Sequence, residues 1–161
     1  ATMSFDTAGR TMMGIMPDAL EQIFEGLEPQ PLAIGANCGV GASDILVSIS
    51  QMSAFATPVV SKGNCGIPKF EGTNIKYSGT PELMHTYAAM AADAGARIVG
   101  GCCGTSPEHL AAMRQSLDDR VPAPAPTTAE IIEKIGPLTN SVPGQADTSE
   151  RDARRRRNKA E

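Results

Sequence analysis

Arg97-Ile98-Val99-Gly100-Gly101-Cys102-Cys103-Gly104-Thr105-Ser106-Pro107-Glu108-His109-Leu110 is the stretch that decides the fold. A short β-like run passes through glycines into Ser-Pro-Glu, where serine suits a helix cap and proline the first helical position. The run therefore reads as a strand over Arg97 to Gly101, a turn, and a helix opening at Ser106. A near-copy of that helix start stands upstream at Gly79-Thr80-Pro81-Glu82-Leu83, and a repeated βα unit is the simplest cause.

Working outward, the helix at Thr80 is preceded by a long loop and a strand at Pro58 to Lys62. Before that come a strand at Leu32 to Asn37 with a helix from about Ala42 to Met52. The first unit has a strand at Thr2 to Asp6 and a helix from about Pro17 to Leu27, where Leu20, Ile23, Phe24 and Leu27 fall at helical spacing. Alternation of this kind predicts an α/β fold on a parallel sheet. Periodicity does not choose between a closed (β/α)8 barrel and an open doubly wound sheet, and four units cannot close such a barrel alone. Residue 1 lies directly against the first strand, which gives the expectation of an incomplete domain; a small complete four-unit sheet is the competing one.

At 161 residues and 41% apolar content the chain can hold one domain with a real core. Its apolar runs, such as Ile45 to Ile49, fall far short of the roughly 20 residues that cross a bilayer, and no signal-like segment opens the chain, so a cytoplasmic home is expected. Residues 1–120 carry 7 basic and 12 acidic side chains, against 7 and 6 in residues 121–161. The basic excess is the run Arg154 to Arg157 with Lys159, beyond Pro122, Pro124, Pro126 and the polar segment Ser141 to Glu150. Residues 1–120 are accordingly expected to be the folded domain, and 121–161 a Pro-rich linker with a basic disordered tail. A nucleic-acid partner is not expected of a net-acidic body with few aromatics.

Every cysteine follows a predicted strand, in Asn37-Cys38-Gly39, Asn64-Cys65-Gly66 and Gly101-Cys102-Cys103-Gly104. In a parallel sheet these places share one edge, the C-terminal one, where barrel enzymes carry their sites. Neighbouring residues on a regular strand point to opposite faces, so Cys102 and Cys103 can serve one centre only if the backbone bends, which Gly100, Gly101 and Gly104 permit. Cys38, Cys102 and Cys103 would suit a tetrahedral zinc ion whose fourth position is open to a substrate. Such a centre would turn a bound thiol, whose free pKa is about 8.5, into a nucleophilic thiolate at neutral pH. A strained Cys102–Cys103 redox disulfide, inert buried thiols, or a phosphate held by the glycine-rich loops are the competing readings.

Gly35-Ala36-Asn37-Cys38-Gly39 and Gly100-Gly101-Cys102-Cys103-Gly104-Thr105, followed by Pro107-Glu108-His109, resemble the zinc motifs of the homocysteine S-methyltransferase family. Met3-Ser4-Phe5-Asp6 with Gly9-Arg10-Thr11 resembles it too, especially the homocysteine-binding module of the cobalamin-dependent methionine synthases, with the betaine-using members close behind. The resemblance spans about residues 2 to 118. It implies that the four units are the C-terminal half of a (β/α)8 TIM barrel, with Cys38, Cys102 and Cys103 holding zinc that binds the sulfur of homocysteine. It further implies a methyltransferase of methionine biosynthesis. The donor would be betaine, a methylated corrinoid or a methylsulfonium compound, and any cobalamin would sit on a partner protein. Asn64 falls where the family tends to have Asn-Ala-Gly and would line the substrate site or approach the zinc. Cys65 replaces a small residue there and reads as a packed thiol; His85 and His109 read as surface or packing residues, and the role of Asp6 stays open. The family's opening half, which holds the amino acid's charged end, has no counterpart here. A complementary N-terminal half or a second copy of the chain is the expected partner, and a non-catalytic zinc-holding half-barrel is the alternative function.

Overall fold

The structure is a computed structural model and describes residues 1–39, 41–66, 68–72 and 74–139. The Arg-rich run and the polar segment before it lie outside the described residues. Four strands form one parallel sheet: β1 (Thr2–Met3), β2 (Ile34–Cys38), β3 (Val59–Gly63) and β6 (Ala96–Gly101), in the order β1-β2-β3-β6. A hairpin of β4 (Pro68–Glu71) and β5 (Asn74–Tyr77) stands apart from it. Helices α1 (Ala42–Gln51), α2 (Pro81–Asp93) and α3 (Pro107–Asp119) follow β2, the hairpin and β6, and a short α4 (Thr128–Lys134) ends the described chain.

Both helix starts that define the repeat form as their residue types require. Thr80 caps α2 by accepting from the Leu83 N–H at 3.2 Å, with Pro81 in the first turn. Ser106 opens α3, and the His109 ring Nδ1 accepts from the Ser106 N–H at 3.1 Å, the part a Glu or Gln usually plays in a capping box. The helices bury Ile45, Leu46, Ile49, Met84, Tyr87, Ala88, Ala91 and Met113 against Ile34, Ala36, Val59 and Ala96 of the strands. Tyr87 is wholly buried, and its hydroxyl is satisfied by the Ser61 hydroxyl at 2.6 Å, which removes the desolvation cost of an unpaired polar group.

Three regions differ from expectation. The helix expected over Pro17 to Leu27 is instead two 3-10 turns, Pro17–Ala19 and Glu21–Phe24. Of its four periodic positions Leu20 is fully buried and Phe24 packs at the margin of the core, whereas Ile23 and Leu27 are 40% and 49% exposed. A full amphipathic helix had no surface to cover, and Gly26, with φ +78°, turns the chain away. The Glu21 carboxylate pins the segment by accepting from the Thr57 N–H at 2.8 Å, just ahead of β3. The long loop after β3 contains the β4–β5 hairpin, which pairs Pro68 with Tyr77 and Glu71 with Asn74 around Gly72 at φ +64°.

Within the stretch read as a linker, α4 docks on α1. Its Thr127-x-x-Glu130 capping box is formed in both directions, Ile131 is buried, and the Ser43 hydroxyl donates to the Gly136 carbonyl at 2.8 Å. Thr139 closes the contact, its N–H and hydroxyl both donating to the Asp44 carboxylate. Among the described residues no helix is long and apolar enough to cross a membrane.

Candidate metal centre

β2 and β6 flank β3 in parallel, so the chain leaves both at the same sheet edge. Cys38 is the last residue of β2, opposite Gly63, and Gly63 in turn pairs with Gly101, the last residue of β6. Cys38 has φ +55°, a left-handed conformation that costs a non-glycine residue on the order of 1–2 kcal/mol, and Gly39 follows at φ +66°. The strained turn lifts the Cys38 thiol off the regular pleat and toward the end of β6. There the chain departs from strand geometry at Gly101 and turns at Gly104, with φ +76°, so that two consecutive thiols face one point.

The resulting separations are 2.7 Å from Cys38 Sγ to Cys102 Sγ, 3.6 Å from Cys38 Sγ to Cys103 Sγ, and 3.9 Å between Cys102 and Cys103. Cys38 and Cys102 are half-buried and Cys103 is exposed, so the cluster opens on the Cys103 side. Among the described residues it is the group of acidic, His or Cys side chains whose ligand atoms all lie within 4.8 Å of one another.

The loop after β3 supplies the frame. The Asn64 amide, 4% exposed, donates from Nδ2 to the Gly39 carbonyl at 3.2 Å and accepts at Oδ1 from the Cys103 N–H at 3.1 Å. One side chain thus ties together the two turns that bear the thiols. Backbone bonds reinforce it: Cys65 N–H to the Cys103 carbonyl at 2.9 Å, and Cys102 N–H to the Gly63 carbonyl at 2.8 Å.

Burial, followed by the hydrogen bonds to Cys102 and Cys103, pushes the Cys38 thiol up to about 12. Cys102 is also penalised by burial, but hydrogen bonds from the Cys38 and Cys103 thiols and from backbone N–H groups outweigh this and lower it. The two neighbouring thiols are thus driven in opposite directions, Cys38 up and Cys102 down. A cation would relieve the crowding of three sulfurs that cannot all ionise together.

Zinc fits this donor set. Three thiolates at Zn–S distances of about 2.3 Å in a tetrahedron stand about 3.8 Å apart, close to two of the three observed separations. The third, between Cys38 and Cys102, needs to open by roughly 1 Å to reach the same spacing. Cys65, by contrast, is 1% exposed, packs in the core and lies outside the group. His109 is spent on capping α3, His85 is exposed on α2, and Asp6 is exposed beside the Thr7–Arg10 turn.

Tyr77 was not visible in the sequence as a site residue. It ends β5 and its ring packs against Gly104, in the turn that carries Cys103. The nearest signal was its place immediately ahead of the Gly79-Thr80-Pro81 helix start, which puts it on the same sheet edge as the cysteines.

The fold is thus a parallel αβ sheet with a three-thiol cluster at its C-terminal edge, and the sequence comparison supplies the family. The family model described as homocysteine S-methyltransferase matches residues 1–117, and the chain belongs to that family. Among solved structures it is similar to the homocysteine methyltransferase MmuM from Escherichia coli in its apo form, with a TM-score of 0.51 and 22% identity. The match covers 68% of this chain and 35% of that one, so the chain spans about a third of the length of that enzyme. At this identity the likeness speaks for the fold.

Proposed function

We propose that this chain supplies the zinc centre of an enzyme that transfers a methyl group to the thiol of homocysteine, forming methionine. The observation that carries the proposal is the convergence of Cys38, Cys102 and Cys103 from two strand ends at one open sheet edge. Cys38, Cys102 and Cys103 would hold the ion and Asn64 would hold their turns in register. A zinc ion bound there supplies Lewis acidity that strips the proton from an incoming thiol and leaves the sulfur nucleophilic at neutral pH. The exposed Cys103 side is where the chain leaves room for that sulfur. In-line attack on the methyl group then requires donor and thiol to be held in one geometry, and betaine, a methylated corrinoid on a partner protein and a methylsulfonium compound are all compatible donors.

The four strands are proposed to be the last four of a (β/α)8 barrel. The consecutive parallel order β1-β2-β3-β6 supports this, as does the partial coverage of the longer relative. Residues 1–120 would be the barrel units, and the following residues an extension whose α4 braces α1. The rest of the barrel, with the groups that hold the amino acid's charged end, would come from a complementary segment, and a cytoplasmic setting suits reduced thiols. A second reading, a non-catalytic zinc-holding half-barrel that self-associates, is favoured by one feature: β1 and β6 are outer strands of the sheet, and Ile98 on β6 is 48% exposed.

Calorimetric titration of the zinc-loaded chain with homocysteine, in buffers of different ionisation enthalpy, separates the two readings. The enzyme reading expects binding with release of a proton from the thiol. No binding, even with the complementary half present, leaves only the non-catalytic reading.

Asn64 gives a test of the frame. Asn64→Ala strips a buried amide of two backbone partners and is expected to cost about 1–3 kcal/mol of stability and to weaken zinc binding roughly tenfold or more. Denaturant unfolding with a competitive zinc titration checks both. Unchanged affinity would remove Asn64 from the centre.

A further inference from the structure

β3 presents successive side chains to opposite faces of the sheet. Val59 packs in the core, the Ser61 hydroxyl meets the Tyr87 hydroxyl of α2 at 2.6 Å, and a Cβ on Gly63 would lie 2.9 Å from the Tyr87 ring, so these three positions face the helices. Val60 and Lys62 therefore face the other side, together with Ile98, which pairs with Val60 and is 48% exposed. Lys62 pairs with Asn37 of β2 and Gly100 of β6, in the row immediately before Cys38, Gly63 and Gly101. Its Cα thus stands about 3.3 Å behind the strand ends that carry the thiols. The lysine stem runs over Gly100, where an added Cβ would lie 3.7 Å from Lys62 Cγ. Lys62 is half-buried and, among the described residues, takes part in no ion pair or hydrogen bond. No strand of the four-stranded sheet carries an acidic residue. A partly desolvated cation beside the cluster, with no internal counter-ion, is matched to an anion that comes from outside.

We infer that Lys62 binds the carboxylate of homocysteine while the substrate sulfur is at the cysteine cluster. This deepens the function proposed above and rests on it. An amino acid whose thiol sits at the cluster carries its carboxylate beyond two methylenes and the α-carbon, and a lysine on its four-carbon stem, one row behind the thiols, is placed to meet it. A charge-assisted bond there holds the substrate at a second point and so orients the sulfur for attack. The substrate ammonium is left to the complementary segment. A thiol without a carboxylate gains nothing from Lys62, which makes this residue a source of specificity for amino-acid thiols.

Aminopropanethiol, which is homocysteine without its carboxylate, separates this role from a general effect of positive charge. Calorimetric titrations with both thiols use the zinc-loaded full chain under the conditions given above for homocysteine. Lys62→Met, which keeps an apolar stem and drops the charge, is expected to bind homocysteine about tenfold or more weakly, with zinc content and aminopropanethiol affinity unchanged. Lys62→Arg, which restores a cation, is expected to recover most of the homocysteine affinity. Equal losses for the two thiols would mean that Lys62 offsets charge at the metal centre and holds no carboxylate. Full homocysteine affinity in Lys62→Met would remove the residue from the site. Either result overturns the inference and leaves the proposed function standing, as does loss of zinc or of the fold in both variants, which would make Lys62 a structural residue. If the unaltered chain binds neither thiol, the proposed function falls and the role of Lys62 with it.

Discussion

Cys38→Ala is expected to abolish stoichiometric zinc binding, whereas Cys65→Ala retains it. Zinc held by protein ligands at neutral pH is bound by about 10–16 kcal/mol in favourable structural sites, so the loss of one thiolate removes roughly 3–4 kcal/mol, or two to three orders of magnitude in affinity. Cys38 sits at the corner shared by both shorter sulfur separations, 2.7 and 3.6 Å, so no neighbouring thiol can replace it. Cys65 is buried in the core, and its truncation is expected to cost only about 1 kcal/mol of stability through lost apolar contact. Metal analysis after dialysis measures the contrast. Zinc retained on Cys38→Ala and lost on Cys65→Ala would reverse the ligand assignment.

The second large effect concerns the sheet that brings the cysteines together. Gly35 of β2 faces the β3 backbone so closely that an added Cβ would lie 2.0 Å from the Val60 carbonyl oxygen and 2.6 Å from its nitrogen. Those atoms belong to a paired strand and cannot rotate aside, so Gly35→Ala must part β2 from β3 or unfold the chain. A loss of about 4 kcal/mol or more is expected, a large share of the 5–15 kcal/mol that stabilises a typical domain. Gly100→Ala is the matched control, since its Cβ would meet only Lys62 Cγ at 3.7 Å, an ordinary contact. Urea midpoints for the two variants should differ widely; equal midpoints would mean that the β2–β3 pairing is not as close as described.

The parts of the fold legible in the sequence were those specified by local chemistry. Thr80-Pro81 and Ser106-Pro107 announce helix starts because cap and first-turn preferences are properties of a few adjacent residues. The cysteines were legible as one group because strand ends of a parallel sheet share an edge whatever the rest of the chain does. The turns at Pro17–Phe24 were misread because helical spacing says which residues could share a face, not whether any surface waits to be covered. α4 carried a readable Thr127-x-x-Glu130 box, but the prolines around it drew the reading toward a linker. Two features were beyond local reading altogether. The contact of Tyr77 with Gly104 joins a hairpin to a turn on another strand, and the bridge made by Asn64 depends on the register of β2, β3 and β6.

The cost of the arrangement is local and visible. Cys38 is held in a left-handed conformation, and burial pushes its thiol pKa up. The strained backbone disfavours the cluster as inert packing, since ordinary packing gives no reason for a non-glycine residue to hold that conformation.

Zinc K-edge X-ray absorption of the zinc-loaded chain, with and without homocysteine, tests the central claim most directly. Three sulfur scatterers at about 2.3 Å with one lighter atom are expected for the chain alone, becoming four sulfurs when the thiol is added. Fewer than three sulfurs in the first spectrum, or a fourth sulfur that never appears with homocysteine and the complementary half present, would contradict it.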